Sequence, residues 1–136
     1  MGFTKVDEHS DIRPDGRNCL LAYGYDGTQQ AALLALLQQA GIDALVEVTP
    51  GGTGCLLRDL IANTPQEHPM EPLPPVPVVV FHAVSDGELN RFLTLFRGAG
   101  LPRPLFAVAT ETSIHWRFGD LASELMRERR AMEKKG

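Results

Sequence analysis

Residues 78–101 read VVVFHAVSDGELNRFLTLFRGAGL, an apolar run, a polar turn, a striped helix and a glycine stop in one pass. Val78 to Phe81 is short and continuously apolar, which suits a strand buried on both faces. Ser85-Asp86-Gly87-Glu88 has the S-x-x-E form, in which the serine oxygen and the glutamate carboxylate satisfy free amides of a first helical turn. Leu89, Phe92, Leu93 and Phe96 then recur at the spacing of a single helix face. Gly100 supplies the residue type that closes a helix in the left-handed conformation.

The same order of signals occurs upstream. CLLAYGYDGTQQAALLALLQQAGI, residues 19–42, lies over 78–101 without a gap, so that Leu34 meets Leu93, Leu36 meets Leu95, Ala40 meets Ala99 and Gly41 meets Gly100. Asp26-Gly27-Thr28-Gln29 is a looser helix cap, and Leu33, Leu34 and Leu37 form the matching stripe. After an insertion at Pro102-Arg103-Pro104, a second strand follows at 44–49 and 105–110, with Thr49 meeting Thr110. A second helix carries Leu57, Leu60 and Ile61 in one half and Phe118, Leu121, Ala122 and Leu125 in the other.

The expected fold is therefore α/β: a tandem duplicated β-α-β-α unit forming one roughly four-stranded sheet packed by helices. The sheet is expected to be parallel or mixed, its halves related by a pseudo-two-fold. The boundaries are a polar tail at 1–17, a first half at 18–64, a proline-rich linker at 65–77, and a second half at 78–136 ending in a charged helix.

The second half, from Pro77 to about Glu128, resembles a small bacterial domain, the Domain of Unknown Function 3783 family. The features that carry the resemblance are Ser85, Glu88, Gly100, Leu101, Thr110 and Trp116. Ala83 departs from it, standing where the family has a glycine and where the first half has Gly24. The first half resembles the family weakly, through Gly24, Gly41 and Thr49. The resemblance implies a fold and no activity.

Composition excludes several classes. The chain has 136 residues, 43% of them hydrophobic, and a net charge of −4, which fits a globular protein and argues against a nucleic-acid platform. The basic stretch at 127–135 reads as the exposed end of a charged helix. No apolar run approaches the roughly 20 residues that span a bilayer, the N-terminus lacks a signal-peptide centre, and two cysteines make no disulfide framework. A cytoplasmic, reduced protein without membrane contact is expected.

The chemistry-bearing residues form no convergent set. The turn TPGGTGC at 49–55 sits between strand and helix as an anion cradle would, so Gly51, Gly52, Thr53 and Gly54 are candidate ligands of a small anion. It has no Walker lysine and no counterpart in the second half, where 111–116 reads ETSIHW. Cys55, in the first turn of a helix, is a candidate reactive thiol, with a small buried filler as the competing reading and Trp116 as its bulky counterpart over the core edge. If all strands ran parallel, Tyr23, Tyr25, Asp26, His82, Glu111 and His115 would gather at one carboxyl edge, making His82, Glu111 and His115 further candidate ligands. Glu47 interrupts an apolar strand and is read as facing water; His9 and His68 are set aside with tail and linker. No metal, cofactor or catalytic set is assigned. The first expectation is a non-enzymatic module acting by protein contacts or by self-association along an edge strand. The alternatives are a binder of a small anion at Gly51–Gly54, and a small enzyme using His82 or Cys55.

Overall fold

The structure is a computed structural model and describes residues 10–64 and 67–135. His9, Pro65 and the tail over 1–9 lie outside the described residues. The elements run β1 (Cys19–Tyr23), α1 (Gly27–Ala40), β2 (Leu45–Val48), α2 (Leu57–Ile61), β3 (Val78–His82), α3 (Asp86–Arg97), β4 (Leu105–Val108) and α4 (Phe118–Lys135). One four-stranded sheet, in the order β2-β1-β3-β4, is packed by helices on both faces. The α/β reading holds.

Both predicted caps form. Asp26 accepts from the Gln29 amide while the Gln29 side chain accepts from the Asp26 amide, and Ser85 and Glu88 do the same for α3. Gly41 ends α1 at φ 92°, in the left-handed region that favours glycine. The stop of α3 differs from expectation. The helix ends at Arg97 with Gly98 at φ −94°, and Gly100, at φ 72°, shapes the following turn instead. α2 is a single short turn because Asn63 takes φ 60° just beyond it, whereas α4 meets no glycine or proline between Gly119 and its end and runs on to Lys135.

β1 pairs parallel with β2, β3 pairs parallel with β4, and β1 and β3 meet antiparallel. The last pairing is its own image when the halves are exchanged: Cys19 opposes His82 as Tyr23 opposes Val78, about Leu21 against Val80. The outer pairs obey the same exchange, Leu20 against Leu45 corresponding to Val79 against Phe106. Above the sheet, Leu57 donates to the Trp116 carbonyl and Phe118 to the Cys55 carbonyl, so a short bridge of Leu56 with Arg117 repeats the relation.

Alternation along the strands splits the interior into two layers. Leu20, Ala22, Val79 and Phe81 face α1 and α3, packing on Leu33, Leu37, Phe92 and Phe96. Cys19, Leu21, Tyr23, Val78 and Val80 face α2 and α4, packing on Leu57, Leu60, Phe118 and Leu121. Gly24 and Ala83, equivalent in position, both have positive φ, 92° and 54°. Only the second lies in the narrow left-handed well that an L-residue can enter. At Gly24 a Cβ would also come within 2.9 Å of the Pro77 Cα, so glycine is required in the first half and dispensable in the second.

Candidate functional site

The antiparallel seam corrects the expectation of one shared carboxyl edge. Because β3 runs against β1, the Tyr23 end of β1 lies beside the start of β3 and His82 lies beside the start of β1. Tyr23, Tyr25 and Asp26 therefore follow strand ends opposite to those that precede Glu111 and His115. Both tyrosine hydroxyls are occupied with backbone, Tyr23 donating to the Pro74 carbonyl at 3.3 Å and Tyr25 to that of Pro102 at 2.7 Å. Burial pushes both phenols up from their ordinary value.

The glycine turn is a joint between segments. The amides of Gly52, Thr53, Gly54 and Cys55 donate in order to the carbonyls of Thr49, Pro50, His68 and Gly52. An anion cradle needs such donors turned outward, and these are committed. His68 returns a bond to the Gly51 carbonyl at 2.6 Å, and a Cβ on Gly54 would collide with His68, so the glycines admit the returning linker. Thr53, fully buried, donates from its hydroxyl to Pro50 and accepts from the Met70 amide, each at 2.9 Å. Its carbonyl takes the Gly119 amide, while Arg117 reaches the Gly54 carbonyl. Linker, turn and α4 are thereby pinned together.

Inorganic phosphate at about 10 mM is accordingly expected to leave the melting temperature within about 1 °C in a thermal-shift assay. A rise of several degrees would count for an anion site.

Cys55 is buried and unbridged, as is Cys19. It lines a cleft of about 560 Å³ with Asp59, Glu67, His68 and Arg117. His68, set aside in the sequence reading, is thus brought to the glycine turn by the linker's return. No local signal marks it, since the contact spans a proline-rich segment. Trp116, expected over the core edge, is 39% exposed and contributes its backbone.

His82 is a tie for the N-terminal segment. Its Nδ1 lies 2.6 Å from the Arg17 carbonyl and, facing an acceptor, carries the proton. Gly16, at φ 114°, runs so close that a Cβ would come within 2.8 Å of the ring. Glu111 and His115 are exposed on the turn after β4, where Thr110 and Ser113 bond one another. Among the described residues, no group of three or more His, Cys, Asp or Glu side chains is arranged to hold a metal ion.

The strongest polar cluster surrounds Glu88, which the sequence marks as a helix cap and a feature of the family resemblance. Its carboxylate, 4% exposed as a residue, accepts from the Ser85 amide at 2.9 Å, Asn18 Nδ2 at 3.1 Å and Arg13 Nη2 at 2.7 Å. Asn18 also bonds the Ala83 carbonyl and the Asp43 amide, and Arg13 bridges to Asp43. Burial pushes the Glu88 carboxyl up, but Arg13 and Ser85 outweigh it and hold the group below the ordinary carboxylate range. Arg13 is raised, chiefly by its hydrogen bonds to Glu88 and Asp43. This cluster fastens residues 10–18 to both halves.

The two sheet edges differ. On β2, Glu47 is exposed and accepts from Gln30 Nε2 at 2.6 Å. On β4 the equivalent residue is Val108, 55% exposed. Grooves of about 560 and 540 Å³ flank β4 on its two faces, one beneath Leu125, Arg129 and Met132, the other beside Leu93, Phe96 and Arg97; Arg103 and Phe106 line both.

No helix among the described residues is long and apolar enough to cross a membrane. No curated protein and no solved structure matches the chain. Residues 77–132, which hold β3, α3, β4 and most of α4, match the family described as Domain of unknown function (DUF3783).

Proposed function

We propose that the chain is a module that works through protein contacts made along the β4 edge, not through chemistry at its strand ends. The observation that carries this reading is the contrast between two equivalent edges. β2 is blunted by a hydrogen-bonded carboxylate, a common device at sheet edges, whereas β4 presents the exposed Val108 on a strand whose Phe106 lines both grooves. The committed amides of Gly52, Thr53 and Gly54 and the His82–Arg17 tie add support, because they engage those candidate ligand groups within the fold. The exchange-symmetric pairing favours descent of both halves from one copied unit, with the edges diverging afterwards.

A photo-reactive residue at position 108 is expected to capture a protein of one defined mass in the cell, a second copy of the chain included. At position 47 none is expected. Equal yields at the two positions, or no adduct at 108, would overturn the reading.

A further inference from the structure

We infer that the groove between the end of α3 and β4 binds a small organic anion, a carboxylate carried on an apolar body. The inference concerns one face of the sheet and stands whether or not a protein occupies the β4 edge.

The distribution of charge singles this groove out. Of the ten arginines, all but three meet a carboxylate or a backbone carbonyl of the fold. Among the described residues the exceptions are Arg97, Arg103 and Arg130, and the first two line this one groove of about 540 Å³. Among the described residues no acidic side chain lines it. The groove on the other face of β4 shares Arg103 but is bordered by Glu128 and Glu133, so a negative charge is repelled there and attracted here.

The floor is apolar and fixed in advance. Leu93, Leu101 and Phe106 are half-buried, and Phe96 meets Phe106 edge-on with ring centres 5.5 Å apart. Both rings are locked into the layer between the sheet and α3, so no ordering of the floor is needed when a ligand arrives. At the mouth, a Cβ on Gly100 would meet nothing within 4 Å, which leaves entry open. The volume is that of a small-molecule site, and a guanidinium can hold a planar carboxylate through two parallel N–H donors. Apolar floor and paired cations together complement an amphiphile.

Neither cation has an equivalent in the first half. Gln38 stands where Arg97 does, and Arg103 lies in the insertion at Pro102-Arg103-Pro104. The insertion is held: the buried Tyr25 donates to the Pro102 carbonyl at 2.7 Å, and a proline on either side of Arg103 restricts the backbone that presents it.

Octanoate is the probe. Titrated into the full chain at about 150 mM salt and followed by amide-resolved NMR, it is expected to shift Leu93, Arg97, Leu101 and Phe106 together and to saturate with a Kd below about 1 mM. Acetate, which lacks the apolar body, and octanol, which lacks the charge, are each expected to bind at least about tenfold more weakly. Arg97→Gln combined with Arg103→Gln is expected to weaken octanoate at least about tenfold, with the melting temperature within about 2 °C because both side chains are exposed. Arg130→Gln, which removes the other unpaired guanidinium, is expected to leave binding unchanged. No saturation by about 10 mM, shifts scattered over the surface, octanol equal to octanoate, or a double variant that binds as the parent does would each overturn the proposal. The cross-linker at position 108 reads the contact role independently, so the two readings fail separately.

Discussion

Phe81→Ala is expected to destabilise the protein by about 3–5 kcal/mol, read as a lower urea midpoint with an unchanged slope. Phe81 sits on inner strand β3, 1% exposed. It belongs to a closed ring of aromatic contacts: Phe81 meets Phe92 at 5.4 Å, Phe92 meets Phe96 at 5.9 Å, Phe96 meets Phe106 at 5.5 Å, and Phe106 returns to Phe81 at 6.0 Å. Removing one member leaves a void whose walls are fixed by a strand on one side and a helix on the other, so collapse is limited. The equivalent positions in the first half are Ala22, Leu33, Leu37 and Leu45, an aliphatic solution of the same space. Alanine is therefore tolerated at 22 because leucines surround it, and costly at 81. Phe81→Leu, which keeps most of the volume, is expected to cost about 1 kcal/mol. A loss under about 1 kcal/mol for the alanine variant would refute the packing described.

Glu88→Ala is expected to cost about 2–3 kcal/mol, from the lost α3 cap and the buried Ser85 and Asn18 donors left without an acceptor. The accompanying pH dependence has a definite sign. In the folded chain the Glu88 carboxyl is held below its ordinary value of 4.5, with Arg13 as the main cause opposing burial. The unfolded chain takes up the proton first, so this stabilisation is complete above about pH 4.5 and is lost as pH falls through the folded value. Glu88→Gln retains an acceptor for the cap but has no proton to take up. Its stability, followed by urea unfolding between about pH 6 and 3, is expected to fall less steeply than that of the parent. Parallel profiles would show that Glu88 contributes nothing to acid sensitivity.

What was legible in the sequence was whatever local chemistry determines. The S-x-x-E cap, the α3 stripe and the Gly41 stop are each written within a few residues and each appears in the structure, while of the α1 stripe Leu33 and Leu37 are buried and Leu34 is 40% exposed. The end of α3 was misread because two glycines compete there, Gly98 and Gly100, and pattern alone does not rank them. How β1 meets β3 depends on a linker that imposes no direction, so the antiparallel seam and its separation of the candidate residues were hidden. Contacts made by chain return were hidden as well: His68 at the glycine turn, Arg13 and Asn18 on Glu88, and Arg17 over His82. The contrast of Glu47 with Val108 was present in the alignment of halves, but it acquires meaning only once both strands are known to be edges.

The antiparallel seam settles what counts as a folding unit. Five residues of β1 lie against five of β3, and side chains from both halves interleave in each hydrophobic layer. A half on its own would bare the buried, apolar edge of β1 or β3 to solvent, the kind of surface that recruits another chain or precipitates. Cooperativity therefore has to reach across the proline-rich connection, and a break in that connection would leave two fragments still holding each other. The stretch that matches the family is in this sense half of an architecture, completed here within a single polypeptide.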